Sequence, residues 1–281
     1  MTPSVSPVMR NMVKAGRLAC MSTLLSTRIM LRPHRGTIAL GRLCALMLHL
    51  LKGLWLTCTR YPRLERAEQA ALLQRWSRQL LATLGIEVRL RGQLPAQMAT
   101  CGQLIVANHI SWLDIFAINS CRPSRFVAKS EIRNWPLIGT LVTRAGTLYI
   151  ERGRQRATRD TKQILDQHLC SGDCIAFFPE GTTSDGSQLK PFRGGLIQSA
   201  LDHGVAIQPV LLQYRNQHGL RSMAAAYIDD VSLLSCIWQL AYEPRTIVEL
   251  EFLAPRSGLP QSRKEITRLI EEEMRQSLQA C

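Results

Sequence analysis

The sequence is poor in aromatic residues, which make up 6% of 281 positions, and no acidic residue appears before Glu65. Its nine cysteines form no CxxC pair, and its most apolar stretch, residues 37–58, is broken by Arg42 and Lys52. Each shortage excludes something. Basic residues interleaved with Leu and Met rather than aromatics, with no nucleic-acid motif, argue against DNA or RNA as partner. Scattered cysteines in odd number give neither a disulfide framework nor a zinc site, and no other metal-ligand cluster is visible. Only nine charge-free residues separate Arg42 from Lys52, fewer than the ~20 an uninterrupted spanning helix needs. The apolar run also begins too late, and ends in LTCTRYPR without a small-residue cleavage site, so a secretory signal peptide fits poorly.

Cations and apolar residues are abundant. A hydrophobic share of 46% excludes disorder and supports a sizeable core. Of the net charge of +14, residues 1–63 supply +10 from ten Lys/Arg, so an acidic partner is expected there. On a helix through this region Arg35, Arg42, His49 and Arg60 fall within about 40° of one another. Such a basic stripe beside Leu43, Leu46, Leu50, Leu54 and Trp55 predicts a helix lying in an anionic headgroup layer, ahead of a single span or a buried helix. The expected organisation is a basic arm over 1–34, a membrane-associated helical segment over 35–84 and a catalytic domain over 85–281.

From Glu65 to Leu84 the positions Leu72, Leu73, Trp76, Leu80 and Leu84 recur at helical spacing and stop at Gly85. Seven short apolar or alternating runs follow, at 86–90, 104–107, 125–128, 147–150, 174–178, 206–212 and 247–252. Helical patterns near 111–119, 135–145, 155–169, 193–203 and 261–279 separate them. Strands alternating with helices predict an α/β fold, a mixed sheet flanked by helices.

Two constellations carry chemistry. LIVANHISWLD places Asn108 and His109 at a strand end, with Ser111 and Asp114 opening a helix. Five residues apart, His109 and Asp114 meet only across a strand-to-helix turn, where the carboxylate would fix the tautomer that lets the other ring nitrogen take a proton from a hydroxyl. CIAFFPEGTTSDG delivers Glu180, Gly181 and Thr182 from another strand into a loop of small polar residues. There Glu180 would hold a substrate hydroxyl or a cation, or cap a helix. Between the two, Lys129 and Arg152 follow strands in a stretch, 122–162, with ten Lys/Arg against three acids, which suits a phosphate or an anionic headgroup.

With these blocks in order, the chain resembles the glycerolipid acyltransferase family that includes the 1-acyl-glycerol-3-phosphate acyltransferases. NHISWLD resembles the family's His-x4-Asp block, GTLYIER its second block with Arg152, FPEGTTSDG its Glu-Gly block, and AIQPV its late block with Pro209. The resemblance implies direct acyl transfer from acyl-ACP or acyl-CoA to a lysolipid hydroxyl. His109 would be the base, Asp114 its partner, and Lys129, Arg152, Glu180, Gly181 and Thr182 would bind substrate. It implies no cofactor and no metal, and a catalytic domain on the cytoplasmic face of the inner membrane. The first-choice acceptor is 1-acyl-sn-glycerol-3-phosphate (lysophosphatidic acid). One position departs from the family: Thr183 stands where phosphate-acceptor members commonly carry Arg. That form, with the HGL and YIDD segments downstream, also resembles enzymes acylating lyso-ornithine lipid, the alternative acceptor. Hydrolysis by the same dyad, or membrane binding without turnover, are the readings from other classes.

Overall fold

The seven apolar runs all become strands, and their burial explains their composition. In the computed structural model, which describes residues 33–92, 102–150, 155–228, 231–257 and 262–280, the chain divides into an N-terminal unit, 1–37, and a compact unit, 38–281. The expectation of a basic arm over 1–34 therefore lies almost wholly outside the described residues. The strands are β1 (Ile86–Gly92), β2 (Gln103–Ala107), β3 (Arg125–Lys129), β4 (Leu148–Ile150), β5 (Cys174–Phe177), β6 (Ala206–Asn216) and β7 (Thr246–Phe252). They form one mixed sheet in the order β1-β7-β6-β2-β5-β3-β4. β2 pairs in parallel with both β5 and β6, and β3 in parallel with β5 and β4. β6 and β7 are antiparallel, from Val210↔Phe252 to Asn216↔Thr246, and β1 runs parallel to β7. All five residues of β2 are buried, as a parallel strand covered on both faces requires.

Successive side chains of a strand face opposite ways, so the sheet sorts its apolar residues into two cores. Ile105, Ala107, Val210, Leu212 and Leu250 face one side. There they meet α1 (Pro33–Thr59), α2 (Arg66–Thr83), α3 (Asp114–Cys121), α4 (Ile138–Arg144) and α7 (Leu233–Tyr242). Leu104, Val106, Ile175, Ile207 and Leu211 face the other, against α5 (Gln155–Cys170), α6 (Ile197–Asp202) and α8 (Arg263–Gln279). Helix α7 was not among the sequence expectations. Its N-terminus was written in Ser232, whose hydroxyl accepts from Ser235 N at 3.2 Å.

Helix α1 corrects the expected basic stripe. Ala39, Leu46, His49 and Leu56 are buried at helical spacing against the domain, and Gly53 lets Trp76 approach so closely that a Cβ there would lie 2.8 Å from the indole. His49 stacks on Trp76 with ring centroids 4.7 Å apart, and its Nε2 lies 3.0 Å from Trp76 O. The Arg42 guanidinium points inward too, donating to Ala241 O (3.1 Å), Glu243 O (2.6 Å) and Pro244 O (3.0 Å) at the end of α7. Helix ends leave carbonyls without intrahelical donors, and a forked cation satisfies several at once. The stripe is therefore used for docking at Arg42 and His49. The large side chains that α1 exposes are mostly apolar, Leu40, Met47, Leu48, Leu51 and Trp55, with Lys52 among them. By length and composition α1, counted with the turn that follows it, qualifies as a helix that could cross a membrane.

The parallel strands β2, β5, β3 and β4 end at Ala107, Phe177, Lys129 and Ile150, so their C-terminal ends gather on one edge. Ligands of α/β sheets bind at that edge.

Candidate active site

At the end of β2 the chain turns sharply into α3, and the turn is held by one carboxylate. Asp114 Oδ2 accepts from His109 Nδ1 (2.8 Å), Ile110 N (2.8 Å) and Ser111 N (2.9 Å). Its Oδ1 accepts from the Tyr214 hydroxyl at 2.8 Å. Five residues of separation thus close only because the helix starts at Asp114 and its side chain folds back over the turn. With Nδ1 donating to Asp114, the imidazole presents Nε2 as acceptor. Asp114 is fully buried while the His109 side chain keeps 21% of its surface exposed, so the ring, not the carboxylate, faces a substrate.

Three contacts fix the ring and its backbone. Phe178 stacks on the imidazole, centroids 3.9 Å apart and planes 6° from parallel, and Phe126 backs Phe178 at 5.8 Å. Asn108 ties the strand end to β6 through Leu212, donating to its carbonyl (3.0 Å) and accepting from its N–H (2.7 Å). Glu180, buried, accepts from His109 N (2.8 Å) and from Lys190 N (3.0 Å). Both carboxylate oxygens of Glu180 are engaged with backbone, so its part in this structure is to clamp the loop after β5 onto the catalytic turn. The sequence expectation gave it a substrate hydroxyl or a cation to hold, or a helix to cap. Burial pushes its pKa up, against the two backbone N–H groups that favour the charged form.

Of the other expected binding residues, Gly181 and Thr182 follow Glu180 directly. Gly181 adopts φ 71°, a left-handed conformation that turns the chain directly after Glu180. Thr182 is exposed on the loop, and Lys129 is exposed at the end of β3. Arg152 lies outside the described residues, two positions beyond the end of β4. Thr183 donates its hydroxyl to Tyr227 O, and its own carbonyl accepts from Lys190 Nζ at 2.6 Å. Groups of His, Cys, Asp and Glu fit to hold a metal ion are absent among the described residues.

Sequence reasoning missed Tyr214 and Phe178. Tyr214 was hidden in the period-two face Val210, Leu212, Tyr214, which reads as core, and only the polar tip of a buried Tyr asks for a partner. Burial, then the neighbouring Asp114 carboxylate, raises its phenol well above the ordinary range, so it stays a donor.

A sequence profile described as Acyltransferase matches residues 86–213, which contain His109, Asp114, Phe178, Glu180 and Lys190 and stop one residue short of Tyr214. A lyso-ornithine lipid O-acyltransferase of Pseudomonas aeruginosa is 37% identical over 257 residues, covering 89% of this chain and 93% of its own. The chain belongs to the acyltransferase family. A 1-acyl-sn-glycerol-3-phosphate acyltransferase of Neisseria gonorrhoeae is 36% identical over 172 residues, 61% of this acyltransferase and 67% of its own length. The crystal structure of the 1-acyl-sn-glycerophosphate acyltransferase PlsC from Thermotoga maritima shares the fold, with TM-score 0.58 and 20% identity over 85% of this chain and 97% of that one. The protein is a lysolipid acyltransferase, and its sheet is the mixed, helix-flanked sheet of that fold.

Proposed function

We propose that the acyltransferase moves an acyl group from acyl-ACP or acyl-CoA to the free hydroxyl of lyso-ornithine lipid, at the cytoplasmic face of the inner membrane. His109 Nε2 takes the proton of the acceptor hydroxyl while Asp114 holds the imidazole and stabilises its charge. The oxygen attacks the thioester carbonyl carbon, and the tetrahedral intermediate expels the thiolate, which leaves with the proton carried by His109. Donor and acceptor are present together, no acyl-enzyme forms, and no cofactor is called for because the thioester brings its own leaving group. Water-soluble thioesters are cytosolic and the lysolipid is not, so the apolar face of α1 keeps the domain where both can reach it.

Thr183 carries the choice of acceptor. A phosphate monoester is dianionic and draws on several cations, whereas here the position expected to hold Arg ends in a hydroxyl committed to Tyr227 O. The similarity that runs along nearly the whole chain, to the Pseudomonas protein, supports the same reading. Lysophosphatidic acid is the second reading, favoured by the exposed Lys129 at the strand-end edge. The test offers both lysolipids to wild type and Thr183→Arg, with Thr183→Val as control for the lost hydroxyl. Lyso-ornithine lipid should be the better acceptor for wild type, and Thr183→Arg should shift preference toward lysophosphatidic acid. A wild type active only on lysophosphatidic acid would replace the first reading by the second.

A further inference from the structure

The loop that follows Glu180 does more than clamp His109. It closes an open cavity of about 910 Å³ whose wall includes Thr182, Thr183, Asp185, Lys190 and Tyr227. Three links bind this wall to the catalytic turn: Ser184 N donates to His109 O (2.8 Å), Tyr227 N donates to Ile110 O (2.9 Å), and Lys190 N shares Glu180 with His109 N. Anything seated in the cavity is therefore registered against the imidazole by short covalent and hydrogen-bonded paths.

The cavity's charge is balanced rather than uniformly positive. Among the described residues lining it, the charged side chains are one cation, Lys190, and one anion, Asp185. The Lys190 ammonium reaches Thr183 O but has two further N–H groups to offer, and it is exposed. Asp185 Oδ1 accepts from Ser187 N (2.9 Å) and Ser187 Oγ (2.6 Å), contacts that favour its charged form. Its Oδ2 lies 3.2 Å from Arg221 Nη1 in a pair whose side chains are 45% and 32% exposed, loose enough for a second cation to share the carboxylate. A dianionic phosphate would meet Asp185 as a like charge. An amino-acid headgroup, with a carboxylate and an ammonium a few bonds apart, would meet an opposite charge at each end.

We propose that this cavity takes the acceptor's headgroup as a zwitterion, with Lys190 binding its carboxylate and Asp185 its ammonium, a specificity site that rests on the lyso-ornithine reading. The complementarity sets selectivity rather than chemistry, since neither side chain reaches the reacting hydroxyl through His109 or Asp114. The pairs are open to water, so each contributes less than a buried charge-assisted bond would.

The experiment is steady-state kinetics of the full chain in vesicles or mixed micelles, with lyso-ornithine lipid and lysophosphatidic acid as separate acceptors. Asp185→Asn keeps the contacts to Ser187 and removes the charge. It should lower the ratio of kcat/KM for lyso-ornithine lipid to that for lysophosphatidic acid by roughly three- to tenfold. Lys190→Gln should raise the KM for lyso-ornithine lipid by a similar factor with kcat held, and Lys190→Arg should restore it. A loop that merely loosens would lower turnover of both acceptors together and leave the ratio fixed, which overturns the proposal. An unchanged KM in Lys190→Gln overturns it as well. If wild type acylates lyso-ornithine lipid but the variants behave as wild type, this inference alone fails. If wild type does not acylate it, the acceptor reading fails first and this site with it.

Discussion

Asp114 illustrates how much of a site one side chain can hold together. Its two oxygens receive four donors from three kinds of group: an imidazole, two backbone N–H groups and a phenol. Removing the imidazole by His109→Ala should cost the ~10²–10⁴-fold in kcat typical of a lost general base, together with some stability, because the ring stacks on Phe178 and donates to the buried Asp114. Substantial turnover by the folded variant would remove His109 from this role. Tyr214→Phe leaves Oδ1 of a fully buried carboxylate without its donor. A stability loss of about 1–3 kcal/mol is expected in denaturant titration, together with a lower kcat as the carboxylate gains freedom. Glu180 makes a pH prediction. Its folded pKa is raised by burial above its unfolded value, so the stability it contributes is present below the unfolded carboxylate range and is lost as pH rises through the raised value. Ionising the clamp therefore costs stability, and the N–H groups of His109 and Lys190 offset part of that cost. Paired thermal melts should show wild type gaining on Glu180→Gln as pH falls from neutral into the acid range, and a gap that stays constant would contradict this.

At the scale of elements, α1 and α7 depend on each other through Arg42. Its fork covers three carbonyls at the end of α7 and sits over Gly85, whose φ of 73° closes α2 and whose missing Cβ would lie 2.2 Å from Arg42 Nη2. Arg42→Gln should therefore cost about 2–3 kcal/mol of stability, measured by denaturant unfolding, while leaving vesicle affinity of the folded protein as it was. The strands were legible because strands buried on both faces are written as near-continuous apolar runs, as β2 and β5 are, and β6 is as far as Leu212 with Gln208 its one interruption. His109 and Asp114 were legible because only a turn brings residues five apart together. The inward aim of Arg42 was not, because a helical wheel places cations on a face without saying what packs there, and α7, the partner that supplies the carbonyls, had itself escaped notice. In LLSCIWQLAY the polar side is only Ser235 and Gln239, too thin a stripe to mark a ten-residue helix among so many apolar neighbours. Glu180 was found, but its partners are backbone N–H groups, which every residue carries and no sequence pattern marks.

The whole molecule turns two apolar helices outward on one side of its sheet. Leu40, Leu48, Leu51 and Trp55 of α1 stand exposed, as do Leu234 and Trp238 of α7, with Leu48 at 68% and Leu234 at 78%. Isolated exposed apolar residues are ordinary, but two helices of the same layer presenting Leu and Trp on a chain of net charge +14 describe a surface suited to an anionic interface. Because the inward face of α1 is core, deleting residues 1–60 would strip Leu46, His49 and Leu56 from the domain, and loss of binding would then report unfolding. Point substitutions on the outward face keep the core. The triple variant Leu48→Gln, Leu51→Gln, Trp55→Gln should lower affinity for anionic vesicles at least roughly tenfold, since each apolar side chain withdrawn from water contributes up to about 1.5–3 kcal/mol when fully buried. Leu234→Gln with Trp238→Gln should weaken it further. Salt separates the two driving forces: charge-driven adsorption collapses as the screening length shortens, whereas apolar insertion persists. Wild type should thus keep a salt-resistant fraction of its binding that the outward-face variants lose. Equal binding of wild type and all variants at every salt concentration would show that the cations alone hold the protein to the surface.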